Sequence, residues 1–99
     1  MGIREQFHRV LKASDNNRPC SEAQAKVVAS FFSRVVRKRE DRLKLQSQIF
    51  GHPISSSYDL TRDEASALIN FGFLRNWEID PQFLKWVQKE YEAIHEASD

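Results

Sequence analysis

Leu60-Thr61-Arg62-Asp63-Glu64-Ala65-Ser66-Ala67-Leu68-Ile69 has the form of a helix beginning. Thr61 suits the N-cap, and Glu64 three residues later completes a capping box. The hydroxyl accepts from the Glu64 N–H while the carboxylate accepts from the Thr61 N–H. Leu60 precedes the cap and can staple onto Ala65. Asp63 and Glu64 suit the positive end of the helix dipole. Ala65, Leu68 and Ile69 then share one inward face. Gly72 is expected to end the helix in the left-handed conformation, with Phe73 folding back on Leu68.

The same pattern recurs upstream. Ser21-Glu22-Ala23-Gln24 is a second capping box, and the stripe Val27, Val28, Phe31, Val35 and Val36 predicts a helix over 22–37. Ile3, Phe7, Val10 and Leu11 fall on one face of an earlier helix, at about 3–13, and Ser14 to Pro19 has the composition of a turn. Leu43, Ile49 and Phe50 predict a helix over 40–50, stopped by Gly51, and residues 52–57 read as a loop. Asp80-Pro81 opens the last helix, with Asp80 as N-cap and Pro81 at the first helical position, where a missing N–H does no harm. Its apolar face is Phe83, Leu84, Val87, Tyr91 and Ile94.

No period-2 run of strand length occurs, so the fold class is all-α: a small single-domain bundle of four to five helices. The 99 residues fit one domain over 1–99, with mobile ends expected at 1–2 and 96–99. Seven Phe and two Trp supply the large apolar areas that so short a chain needs for a core.

The net charge of +1 conceals an uneven distribution. Residues 1–50 hold 11 Lys or Arg against 5 Asp or Glu, and residues 51–99 hold 4 against 9. The densest basic stretch is Arg34, Arg37, Lys38, Arg39, Arg42 and Lys44, interrupted by Glu40 and Asp41. Either the two halves neutralise one another or ordinary solvated faces carry these charges, or the arginine cluster meets phosphates or acidic protein. Arginine's planar five-donor fork suits both anions. Exposed aromatics among the charges would favour single-stranded nucleic acid, but the nearby Phe31 and Phe32 look like core. Trp86, near the edge of the last helix's apolar face, is read as closing the core, with an exposed anchor for a partner as the alternative. Trp77, in an apolar linker, is either core or an exposed anchor for a partner.

Catalytic and metal motifs are missing. His8, His52 and His95 have no ligand spacing, and no phosphate loop or nucleophile elbow occurs. Cys20, ahead of a helix N-terminus, is the one candidate nucleophile, since the dipole would lower a thiol pKa there. No enzyme, cofactor or small-molecule substrate is expected. With no apolar leader, no run of about 20 apolar residues and a single cysteine, the expectation is a cytoplasmic protein without a membrane contact. A helix-turn-helix is also not expected, because the helix after Ile69 begins only at Pro81.

Ser21-x-Ala23-Gln24, Phe50-Gly51 and Leu60-Thr61-x-x-Glu64-Ala65-Ser66-x-Leu68-Ile69 together resemble a short three-helix module. That module is appended to phage and bacterial recombination proteins, including single-strand annealing types. The resemblance covers residues 21–70 and implies an accessory helical unit for DNA or protein partners. This chain departs from the pattern by carrying helices on both sides of the module, and the large annealing domain is not among its residues.

The leading expectation is a non-catalytic interaction, adaptor or regulatory protein that meets an acidic protein partner. It would use Arg34, Arg37, Lys38, Arg39, Arg42 and Lys44, with Trp77 as an anchor, and could homodimerise through its oppositely charged halves. The alternative is a nucleic-acid-binding accessory protein using the same cluster.

Overall fold

Two capping boxes laid side by side organise the bundle. The computed structural model describes residues 2–13 and 18–98, apart from the side chains of Ser57 and residues 95–98. It contains α1 (Ile3–Lys12), α2 (Glu22–Val35), α3 (Arg39–Phe50), a 3-10 turn at Ser57–Asp59, α4 (Arg62–Gly72) and α5 (Pro81–Ser98). The protein is an all-α bundle of five helices, with no sheet among the described residues. No described helix is long and apolar enough to cross a membrane. Residues 14–17 of the turn expected over 14–19, and Met1 and Asp99 at the ends, lie outside the described residues.

Both predicted boxes form. Ser21 Oγ accepts from Gln24 N–H at 3.1 Å while Gln24 Oε1 accepts from Ser21 N–H at 3.0 Å. Thr61 Oγ1 accepts from Glu64 N–H at 3.2 Å, and Glu64 Oε1 from Thr61 N–H at 2.9 Å. The residue before each cap and the fourth residue of each helix are all buried, as a hydrophobic staple requires: Cys20 with Ala25, Leu60 with Ala65. The two caps are then tied together. Cys20 N–H donates to the Leu60 carbonyl at 3.0 Å and Arg62 N–H to the Arg18 carbonyl at 2.9 Å. Gln24 Nε2 donates across to Ser66 Oγ at 3.0 Å. Glu64 also reaches outward, its Oε2 meeting His52 Nε2 at 2.5 Å.

From this clamp α2 and α4 run side by side in the same direction, Gln24 beside Ser66 and Phe31 beside Gly72. Gly72 does not take the expected left-handed form. It stays in the helix, and Phe73 leaves it extended, at φ −124° and ψ 142°. Packing requires the glycine here: a Cβ would stand 3.1 Å from Phe31 Cε2. Phe73 accordingly packs on Phe31 and Trp77, with ring centroids 5.8 Å away in both cases.

Gly51 does what was expected of Gly72, closing α3 at φ +80° with its N–H donating to the Ser47 carbonyl. A methyl group at Gly51 would meet nothing within 4 Å, so only the backbone opposes substitution. Gly51→Ala is therefore expected to cost about 1 kcal/mol, the penalty for a side chain in the left-handed region. A urea titration checks this value, and an unchanged midpoint would refute it.

Phe7, fully buried, lies in a cluster of rings with Phe50, Phe71, Phe83 and Trp86. Trp86 closes the core as predicted, its Nε1 donating to Glu90 Oε1 at 3.1 Å. Glu90 also meets Arg4 of α1 and Gln48 of α3, so one carboxylate joins three helices. Val10 departs from the expected inner face of α1 and is exposed.

Candidate binding surface

Helix α2 stops at Val35, two residues short of the expected end. Val36 turns out of the helix in an extended conformation and buries its side chain. The carbonyls freed there find a side-chain donor. Arg42 Nη1 donates to the Val36 carbonyl at 3.2 Å and to the Arg37 carbonyl at 2.7 Å. This guanidinium caps the α2–α3 corner, and its role is at least partly structural.

The corner presents Arg34 on the last turn of α2, Arg37 and Lys38 in the linker, and Arg39 at the start of α3, all exposed. Among the described residues none of them pairs with a carboxylate, nor does Lys44. Asp41, which interrupts the basic run, accepts from Tyr91 Oη of α5 at 3.4 Å. Neutralisation by the acidic half of the chain therefore does not extend to the corner. Lys44 is not brought into it. It borders a separate groove with Ser47, Gln48, Ile54 and Ile94.

From the corner a groove of about 210 Å³ runs between α2, α3 and the 3-10 turn. Lys26, Arg39, Arg42, Ser56 and Tyr58 line it, and Arg39 Nη2 donates to the Ser55 carbonyl at 3.4 Å. Tyr58 is 55% exposed. Its loop is held from beneath by Asp59, whose Oδ2 accepts from the N–H groups of Ser55 at 2.9 Å and Ser56 at 3.1 Å. Those bonds, chiefly the one from Ser55, hold the Asp59 carboxyl below the ordinary aspartate range. Lys26 also has Glu22 at 3.4 Å, an exposed pair of little energetic weight.

Lys26 and Tyr58 were not singled out from sequence. Lys26 lies well upstream of the basic run, and only the approach of α2 to α3 brings it to Arg39. Tyr58 follows three serines in a loop whose path depends on tertiary contacts. Trp77, by contrast, is where the anchor reading requires it, 63% exposed in the turn between α4 and α5.

No family model matches this chain, and neither does any curated protein or solved structure. The likeness to the recombination module thus stands on the residues quoted for it. Eight residues (73–80) separate α4 from α5, folded as a bridged turn, and a helix-turn-helix does not form there.

The Cys20 thiol is not activated in the manner expected. It is buried at the clamp, and desolvation, with the Glu64 charge a lesser cause, pushes its pKa up. A thiolate is disfavoured there, so the cysteine acts as a small apolar staple. Among the described residues no three His, Cys, Asp or Glu side chains gather as a metal ion would need.

Proposed function

We propose that this chain is a non-catalytic nucleic-acid-binding protein that lays a single strand along the basic α2–α3 corner. One observation carries the reading: an exposed aromatic ring shares one groove with Lys26, Arg39 and Arg42, of which only Lys26 meets a carboxylate among the described residues, in an exposed pair. Arg39 and Lys26 offer charge to phosphates, and Tyr58 offers a face on which a base can stack. Phe31 and Phe32 are fully buried, as expected, so Tyr58 is the aromatic ring that this groove displays. The acids concentrated in residues 51–99 favour a second reading, an acidic protein, for which a second copy of this chain would serve.

Anisotropy of a labelled single-stranded DNA 20-mer, titrated with the protein at low salt, tests the proposal. Binding is expected, weakening with salt at a log–log slope of about −2 to −3, the value for three or four neutralised phosphates. Arg37→Glu with Arg39→Glu is expected to weaken it at least tenfold and flatten the slope. No binding at low salt overturns the proposal, as does binding that survives the double reversal. An acidic partner protein whose capture is lost in the same variant would establish the second reading instead.

A further inference from the structure

Trp77 occupies a backbone position that strongly favours glycine. Leu74 accepts from Trp77 N–H at 3.0 Å and donates to the Glu78 carbonyl at 2.8 Å, closing a three-residue loop at 75–77. In such loops the last residue takes the left-handed conformation, and Trp77 does so at φ 63°. It is the only described residue besides glycine with a positive φ. A bulky side chain there is unfavourable, and most of the indole is left in water besides. Neither backbone preference nor burial accounts for tryptophan at this position. Strained positions of this kind concentrate at binding sites.

The position of the turn supplies the occupant. Phe31 of α2 contacts Phe73, and Phe73 contacts Trp77, so the turn stands at the C-terminal end of α2. Arg34 lies one helical turn beyond Phe31, and Arg37 and Lys38 follow. Trp77 shares its shallow groove with Arg75, which is exposed and without an ion pair among the described residues. The acid nearest in sequence, Glu78, is exposed beside it. Tyr58 borders α2 on its α3 side, and Trp77 lies at its α4 side. An aromatic ring thus stands on either side of α2, Tyr58 beside Lys26 and Ala29 and Trp77 beyond Phe31 and Phe73.

We infer that Trp77 is a second stacking platform for the same single strand, engaging a base while the corner holds the phosphates. The inference rests on the single-strand reading above. Its test compares wild type, Trp77→Gly and Trp77→Phe, each titrated with a base-bearing 20-mer and with an abasic strand of equal length. Trp77→Gly suits the backbone, so its urea midpoint is expected to rise while affinity for the base-bearing strand falls about tenfold. Trp77→Phe keeps a ring and is expected to recover most of that loss. The abasic strand is expected to bind all three proteins alike.

Wild type that binds neither strand refutes the single-strand reading. Wild-type binding that Trp77→Gly leaves unchanged refutes the stacking role alone. An equal loss on both strands would make Trp77 a structural support for the corner and also overturn the inference.

Discussion

Phe7→Ala is expected to lower the unfolding free energy by about 3–5 kcal/mol, the range for removing a fully buried aromatic ring. Phe7 is the only buried residue of α1. Four aromatic rings besides that of its neighbour His8 surround it, from Phe50, Phe71, Phe83 and Trp86, at 5.5 to 5.8 Å between centroids. They belong to α3, α4 and α5, so the resulting cavity would open where all three helices meet α1. Ile3 and Leu11 pack only partly buried against the same core, and the polar ties of α1 include His8 Nε2 against the Ile49 carbonyl at 3.2 Å and Arg4 against Glu90 at 4.0 Å. A domain of this size has only about 5–15 kcal/mol in total, so the substitution removes a large share. Urea unfolding followed by circular dichroism measures it. A loss below about 1 kcal/mol would show that α1 is not docked as described.

The second large effect concerns the clamp. Ser21→Ala and Thr61→Ala are each expected to cost about 1 kcal/mol, the usual loss of an N-cap hydroxyl. Together they are expected to cost about 1.5 kcal/mol, less than the sum of the two singles. The reason is the pair of backbone bonds joining Cys20 to Leu60 and Arg62 to Arg18, with Gln24 reaching Ser66. Either single change loosens a geometry on which the other cap depends, so each single value contains part of the coupling. A double-mutant cycle reads that coupling directly. Strict additivity would mean that the caps act independently despite their contact.

Helix beginnings were the most legible features of the sequence. Ser21, Thr61 and Asp80-Pro81 act through bonds to their own next few residues, so local spacing is enough to predict them. Gly51 is similar, because a left-handed stop is a local requirement. Helix ends were harder. Val35 ends α2 where it does with the support of Arg42, six residues beyond Val36, and Gly72 remains helical under the ring of Phe31. Both depend on a neighbour from another element. The basic corner was legible as charge, but its composition was not. Arg42 is engaged with backbone carbonyls, Lys44 borders another groove, and Lys26 and Tyr58 join through the packing of α2 against α3 and the 3-10 turn. The position of Trp77 was read correctly, but its exposure was one of two open alternatives, because an apolar linker reads the same whether it is buried or displayed.

The contrasting settings of the two tryptophans give the molecule a pair of built-in optical reporters. Trp86, partly buried among phenylalanine rings, should emit to the blue of Trp77 and shift red when the interior opens. Trp77, open to solvent in its turn, should already emit towards the red and respond to whatever settles on that end of the bundle. One intrinsic emission spectrum thus distinguishes loss of the interior from occupancy of the surface, without any attached dye.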